Sequence, residues 1–141
     1  MYFIGSIAIA AAMAMTGILD GAAGQTAVAI AEGKAHLSPL QAFMRGALCN
    51  TLVCLAVWLT IAARTVTGKI LAIIWPIAGF VLLGFEHSVA NMYLIPQGMF
   101  AGAAVGFGGF AHNLVFVTLG NILGGAGGVA LSYRLAYGPR A

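Results

Sequence analysis

The chain is 141 residues long and 62% hydrophobic, with six Lys or Arg, three Asp or Glu and a net charge of +3. Soluble domains carry roughly a quarter charged residues, so this chain has too few polar side chains to cover a water-facing surface. A mean hydropathy of +1.02 marks an integral membrane protein, read as one transmembrane domain over residues 1–141 with about four spans.

The basic residues are scattered rather than clustered, which excludes a nucleic-acid partner and leaves the lipid bilayer as the expected surroundings. Twenty glycines in so apolar a chain point to closely packed transmembrane helices. Cys49 and Cys54 fall in one apolar segment, where two thiols on a helix point to different faces. They read as packed thiols rather than a disulfide or a metal pair, and no metal or cofactor is expected.

In chain order, the first span covers about residues 2–19 and ends at Asp20-Gly21, with Gly24, Gln25 and Thr26 as a polar turn. No basic region or small-residue cleavage site marks a signal peptide, so this segment reads as a span. Residues 27–38 form a connector carrying Glu32, Lys34 and His36, and Ser38-Pro39 reads as an N-cap followed by the first helical residue. A second span runs over about 40–63, with Arg45 and Arg64 placed to snorkel to opposite interfaces.

The next apolar stretch, 70–105, is far longer than the roughly 20 residues one helix needs. It is interrupted near residues 85–91 by Phe85-Glu86-His87-Ser88-Val89-Ala90-Asn91. The final span covers about 113–133, where Tyr133-Arg134 forms an aromatic and basic anchor. If 70–105 is one broken span, the Arg64/Lys69 loop and the Arg134/Arg140 tail share a side. The positive-inside rule then puts both chain ends in the cytoplasm of a cell with this protein in its inner (plasma) membrane. Two full spans there would set the two basic segments on opposite sides, so the broken helix is preferred.

Titratable groups at membrane depth are expensive unless they serve a pathway or find partners. His87 is the strongest candidate, because imidazole can hold, polarise or protonate a small anion; the alternative is a satisfied core histidine. On a continuous helix Glu86 would point about 100° away from His87, so Glu86 is expected to support the break by hydrogen-bonding its backbone or a neighbouring span. Asn50 and Asn121 are neutral amides inside spans that either face a pore or bridge two helices. Lys34 sits at a membrane mouth, where it either raises local anion concentration or is a solvated connector lysine. His36 and His112 read as interfacial. Gly102-x-x-x-Gly106, Gly120-x-x-x-Gly124 and Gly124-x-x-x-Gly128 are small-residue stripes for helix packing or a subunit interface.

Three segments together resemble the formate/nitrite transporter family. They are Gly46-Ala47-Leu48-Cys49-Asn50-Thr51-Leu52-Val53-Cys54-Leu55-Ala56-Val57-Trp58, then Gly84-Phe85-Glu86-His87-Ser88-Val89-Ala90-Asn91-Met92, then Val117-Thr118-Leu119-Gly120-Asn121-Ile122-Leu123-Gly124-Gly125. The resemblance implies an all-α, aquaporin-like helical bundle with a broken transmembrane helix, assembled as a homopentamer with one pore per protomer. It implies transport rather than catalysis, of formate, nitrite or a similar small monovalent anion that gains a proton near the pore histidine. By the same carry-over His87 is the central pore histidine and Asn50 faces it. Phe80 and Val53 form apolar constrictions, Lys34 lies in the vestibule, and Asn91 and Asn121 are further pore candidates.

The family protomer has six spans in two inverted halves, and the match covers the third span onward. The alternative expectation is therefore a fragment, or a truncated membrane subunit that does not transport. A haem-binding subunit using His36, His87 and His112 needs paired histidines at equal depth, and His87 alone lies mid-span.

Overall fold

The computed structural model describes residues 1–138, so Arg140, which entered the orientation argument, lies outside the described residues. The elements are α1 (Tyr2–Met15), a 3₁₀ turn (Ile18–Asp20), α2 (Ala22–Ala35), α3 (Pro39–Ala62), α4 (Val66–Leu82), α5 (Ser88–Phe100), α6 (Phe107–Ile122), a π-helical segment (Leu123–Leu131) and α7 (Ser132–Tyr137). No strand occurs among the described residues. The all-helical class follows from a backbone that must satisfy its own polar groups in an apolar medium. Two uninterrupted helices, Pro39–Ala62 and Phe107–Tyr137, have 24 and 31 residues and are apolar enough to cross a bilayer.

The chain divides into two compact units, residues 1–42 with 88–116 and residues 43–87 with 117–141. In the first, α5 packs against α1 and α2, and the core consists of Ala31, Ile95, Val105 and Phe110. Phe3 stacks on Phe110 with ring centroids 6.0 Å apart. Ser38 and Gln41 make reciprocal bonds at the start of α3: the Ser38 N–H donates to Gln41 Oε1 at 3.1 Å, and the Gln41 N–H to Ser38 Oγ at 3.3 Å. This capping box fixes the helix start that Ser38-Pro39 suggests.

In the first unit the helices begin and end at other residues than the expected bounds. Helix α1 stops at Met15, short of Leu19, because Gly17 adopts a left-handed φ of 74° and turns the chain. Residues 24–26, expected as a turn, and most of the 27–38 connector are helical within α2. Small residues make that helix possible: Gly24 packs on the Leu19 backbone, and Gly98 of α5 lies against Ala27 and Ala31 with no room for a Cβ. The last span starts at Phe107 rather than near Asn113, and the stretch that began at Ile70 ends its second helix at Phe100, before a turn containing Gly102.

In the second unit α3 and the last helix run in the same direction at close range. Phe43, Ala47 and Thr51 face Gly120, Gly124 and Gly128 in ascending order, and Gly46 faces the Val117 carbonyl. Farther along, Trp58 meets Tyr133 edge to face at 4.2 Å, and Tyr133 lies 4.6 Å from Tyr137. A Cβ on Gly120 or Gly124 would collide with the α3 carbonyls of Phe43 or Ala47. The glycine stripe is therefore an intrachain packing seam. Helix α4 is capped by Thr65, whose Oγ1 accepts from the Gly68 N–H at 3.0 Å, and buries none of its residues within the chain.

Gly124→Ala should lower the unfolding temperature in detergent, because overpacking costs about 1–3 kcal/mol and the atoms it would meet are backbone. Gly5→Ala, with nothing within 4 Å of the added methyl, should be neutral or stabilising by about 0.5–1 kcal/mol. Equal unfolding temperatures for the two variants would refute the seam.

Candidate functional site

The site grows out of the way α4 ends. Leu83 closes the helix and Gly84 takes a φ of 65°. The Gly84 N–H donates to the Val81 carbonyl at 3.1 Å, and the Phe85 N–H to the Phe80 carbonyl at 2.9 Å. This is a Schellman motif, and its left-handed position is why a glycine precedes Phe85. The helix has stopped, so the Gly84 carbonyl and the N–H and carbonyl of Glu86 must find partners outside it.

Those partners come from α3 and α6. The Glu86 N–H donates to the Arg45 carbonyl at 3.4 Å, and the Arg45 guanidinium donates to the Gly84 carbonyl at 3.5 Å. The Asn121 amide donates to the Glu86 carbonyl at 2.9 Å and to the Gly46 carbonyl at 2.8 Å. Asn50, one turn beyond Gly46 on α3, donates to the Asn121 carbonyl at 2.6 Å. Thr51 donates to the carbonyls of Ala47 at 2.9 Å and Gly124 at 3.3 Å. A Cβ on Gly125 would sit 2.6 Å from the Asn50 amide nitrogen, so a larger residue there would displace that side chain.

His87 is half-buried, and its ring stacks on Phe80 with centroids 6.2 Å apart and planes 29° apart. Glu86 is 2% exposed. Val53 is half-buried on α3, one turn past Asn50. A groove of about 500 Å³ on this unit includes Cys54, Val57, Trp58, Val129 and Arg134 in its lining, but none of Asn50, Val53, Phe80 or His87. Among the described residues no group of three His, Cys, Asp or Glu could hold a metal.

The remaining predicted residues belong to the first unit. The Asn91 amide donates to Asn113 Oδ1 at 2.8 Å, and both residues are fully buried. Asn113 in turn donates to the Lys34 carbonyl at 2.9 Å. His112 pairs with the Leu37 carbonyl at 3.3 Å, and His36 with the Glu32 carbonyl at 2.7 Å. The Glu32 carboxylate accepts from the Ala104 N–H at 3.0 Å. His36 and His112 thus meet backbone carbonyls through these bonds rather than each other.

Sequence reasoning put Arg45 at an interface, yet its side chain turns to the break. It gave Gly46 no role beyond opening a family segment, and Asn113 none beyond starting a span. An arginine that lies more than a turn inside a capped helix is a signal against simple snorkelling. A buried amide opposite a helix break has no signature in sequence spacing.

A sequence model described as "Formate/nitrite transporter" matches residues 1–135. The chain belongs to the formate/nitrite transporter family. A "Probable formate transporter" of Methanothermobacter thermautotrophicus is 53% identical over 110 residues, covering 77% of this chain and 40% of that protein. "Formate channel BtFdhC" of Bacillus thuringiensis is 41% identical over 138 residues, covering 97% and 53% respectively. Among solved structures, a "Pentameric formate channel with formate bound" superposes with a TM-score of 0.86 at 39% identity, over 96% of this chain and 62% of that one. The chain spans about half the length of these curated relatives, at 40% and 53%.

Gly84→Val should destabilise this family member by about 1–2 kcal/mol, the cost of a left-handed residue with a Cβ. Gly84→Asn should cost less, because asparagine tolerates that conformation. Thermal unfolding in detergent reads the difference, and equal losses would show that Gly84 matters for space rather than for its φ of 65°.

Proposed function

We propose that this chain supplies one wall of a transmembrane pathway for small monovalent anions, formate or nitrite, and that the anion exchanges a proton near His87. The observation that carries the reading is the stack of Phe80 on His87 at 6.2 Å beside a non-helical break. A bare anion faces a large desolvation cost next to an apolar ring, and protonating a weak acid removes most of it. Imidazole changes charge near physiological pH, so it can donate or take the proton where the apolar surface begins.

Other residues fall into roles on the same reading. Phe80 and Val53 form the apolar constriction, and Asn50 and Asn121 lie on its α3 and α6 side. Lys34, in the other unit, concentrates anions at a vestibule, and Asn91 lies on the pathway in that unit. The similarity to a solved pentameric formate channel supports formate as the substrate and a homopentamer as the assembly. The parallel α3 and last helix support one broken span between them, since a single traverse restores direction and two would reverse it. About four spans, with both chain ends cytoplasmic in the inner membrane, follow from that count and the positive-inside rule.

His87→Phe should change the pH dependence of formate flux into liposomes holding the purified protein, while His36→Phe should leave it as it is. A His87→Phe curve that overlays the native one would remove the proton-transfer role. Absence of flux from the native chain at every pH would leave the second reading, a membrane subunit that keeps the fold without transporting.

A further inference from the structure

We infer that Asn121 is a positioning residue for His87: its side-chain amide fixes the peptide that carries His87 to α3, and so sets where the imidazole stands. The inference rests on the anion-pathway reading of His87 and assigns Asn121 a role distinct from lining the pore.

The chemistry is specific to a primary amide. One nitrogen carries two protons, and Asn121 spends one on the Gly46 carbonyl at 2.8 Å and the other on the Glu86 carbonyl at 2.9 Å. Its own backbone carbonyl accepts from Asn50 at 2.6 Å, so α3 holds Asn121 from two sides. The residue is 7% exposed, and Glu86 is 2% exposed. The two ties from Arg45 are longer: 3.4 Å from the Glu86 N–H to its carbonyl and 3.5 Å from its guanidinium to the Gly84 carbonyl. Hydrogen bonds weaken toward those lengths, so the Asn121 bond to the Glu86 carbonyl at 2.9 Å is the shortest of these three ties to the break. That carbonyl belongs to the peptide joining Glu86 to His87. A peptide is planar, so fixing its oxygen fixes the His87 nitrogen and the direction in which the His87 Cα leaves.

Other side chains at position 121 would not make both bonds. Serine would give one donor, and aspartate would bring a carboxylate against two carbonyl oxygens. Leucine would fill the volume and leave the Glu86 carbonyl without this donor. Thr51 serves as a comparison, because it also joins α3 to the last helix, through the Gly124 carbonyl at 3.3 Å, yet its hydroxyl bonds go to Ala47 and Gly124 rather than to the break.

The experiment is solid-state NMR of the chain in liposomes with ¹⁵N-labelled histidine, the His87 signals being assigned by their loss in His87→Phe. Asn121→Asp and Asn121→Leu should move or split the His87 ring signals and leave those of His36 and His112 in place; Thr51→Ala should move none of them. Asn121→Ser, which keeps one donor and is the gentler change if the others fail to fold, should give a smaller displacement in the same direction. His87 signals unmoved in the folded Asn121 variants, or moved equally by Thr51→Ala, would overturn the inference. Formate flux is the second readout: the Asn121 variants should lose roughly tenfold or more, on the scale that small misplacements carry, and Thr51→Ala should not. A native chain without flux would end the pathway reading while the NMR arm still decided what holds His87.

Discussion

Everything in the second unit depends on how a stopped helix satisfies its peptide groups away from water. An unmet carbonyl or N–H at membrane depth costs several kcal/mol, so α4 can end at Leu82 only if something else meets Gly84 and Glu86. The Schellman turn disposes of two N–H groups within the chain end itself. Arg45 and Asn121 meet the rest from α3 and α6. The break is thus held from two helices, and those helices must keep a fixed register for the bonds to form.

That register is what the glycines provide. Gly46, Gly120 and Gly124 let the α3 and last-helix backbones approach until side-chain amides on one reach carbonyls on the other. Where the last helix widens into the π segment Leu123–Leu131, the carbonyls of Asn121 and Gly124 accept from Asn50 and Thr51. Widened helical turns often occur at functional sites. Here the widening lies beside the glycines that leave room for Asn50. The glycine stripe and the amide network are one device: larger residues in the seam would part the helices and strand the break.

Much of this was legible in the sequence, and the rest was hidden for physical reasons. Composition gave the membrane class, and a titratable pair inside an apolar stretch gave the break, which the structure starts at Leu83 and ends before Ser88. The family resemblance rested on contiguous motifs and held over residues 1–135. Helix α2 was missed because Gly24, Gln25 and Thr26 look like a turn until Gly98 and Leu19 are seen packing against its small residues. The bridging side of Asn50 and Asn121, left open beside a pore-facing one, is visible only when α3 and α6 are in register. Arg45 looked interfacial because sequence shows its depth along a helix and not its direction.

The choice of amides for these contacts has a consequence for the chemistry of the break. Asn50 and Asn121 provide side-chain hydrogen bonds around it, and Asn91 and Asn113 do so in the first unit. An amide can donate two bonds and carries no charge, whereas an ionised side chain at helix centre costs about 2.5–3.5 kcal/mol on insertion scales. Building the scaffold from neutral groups therefore leaves the local potential to be set by the few charged or chargeable residues that remain. In the second unit those near the break are Arg45, Glu86 and His87. The asparagines around them carry hydrogen bonds without adding a charge to that potential.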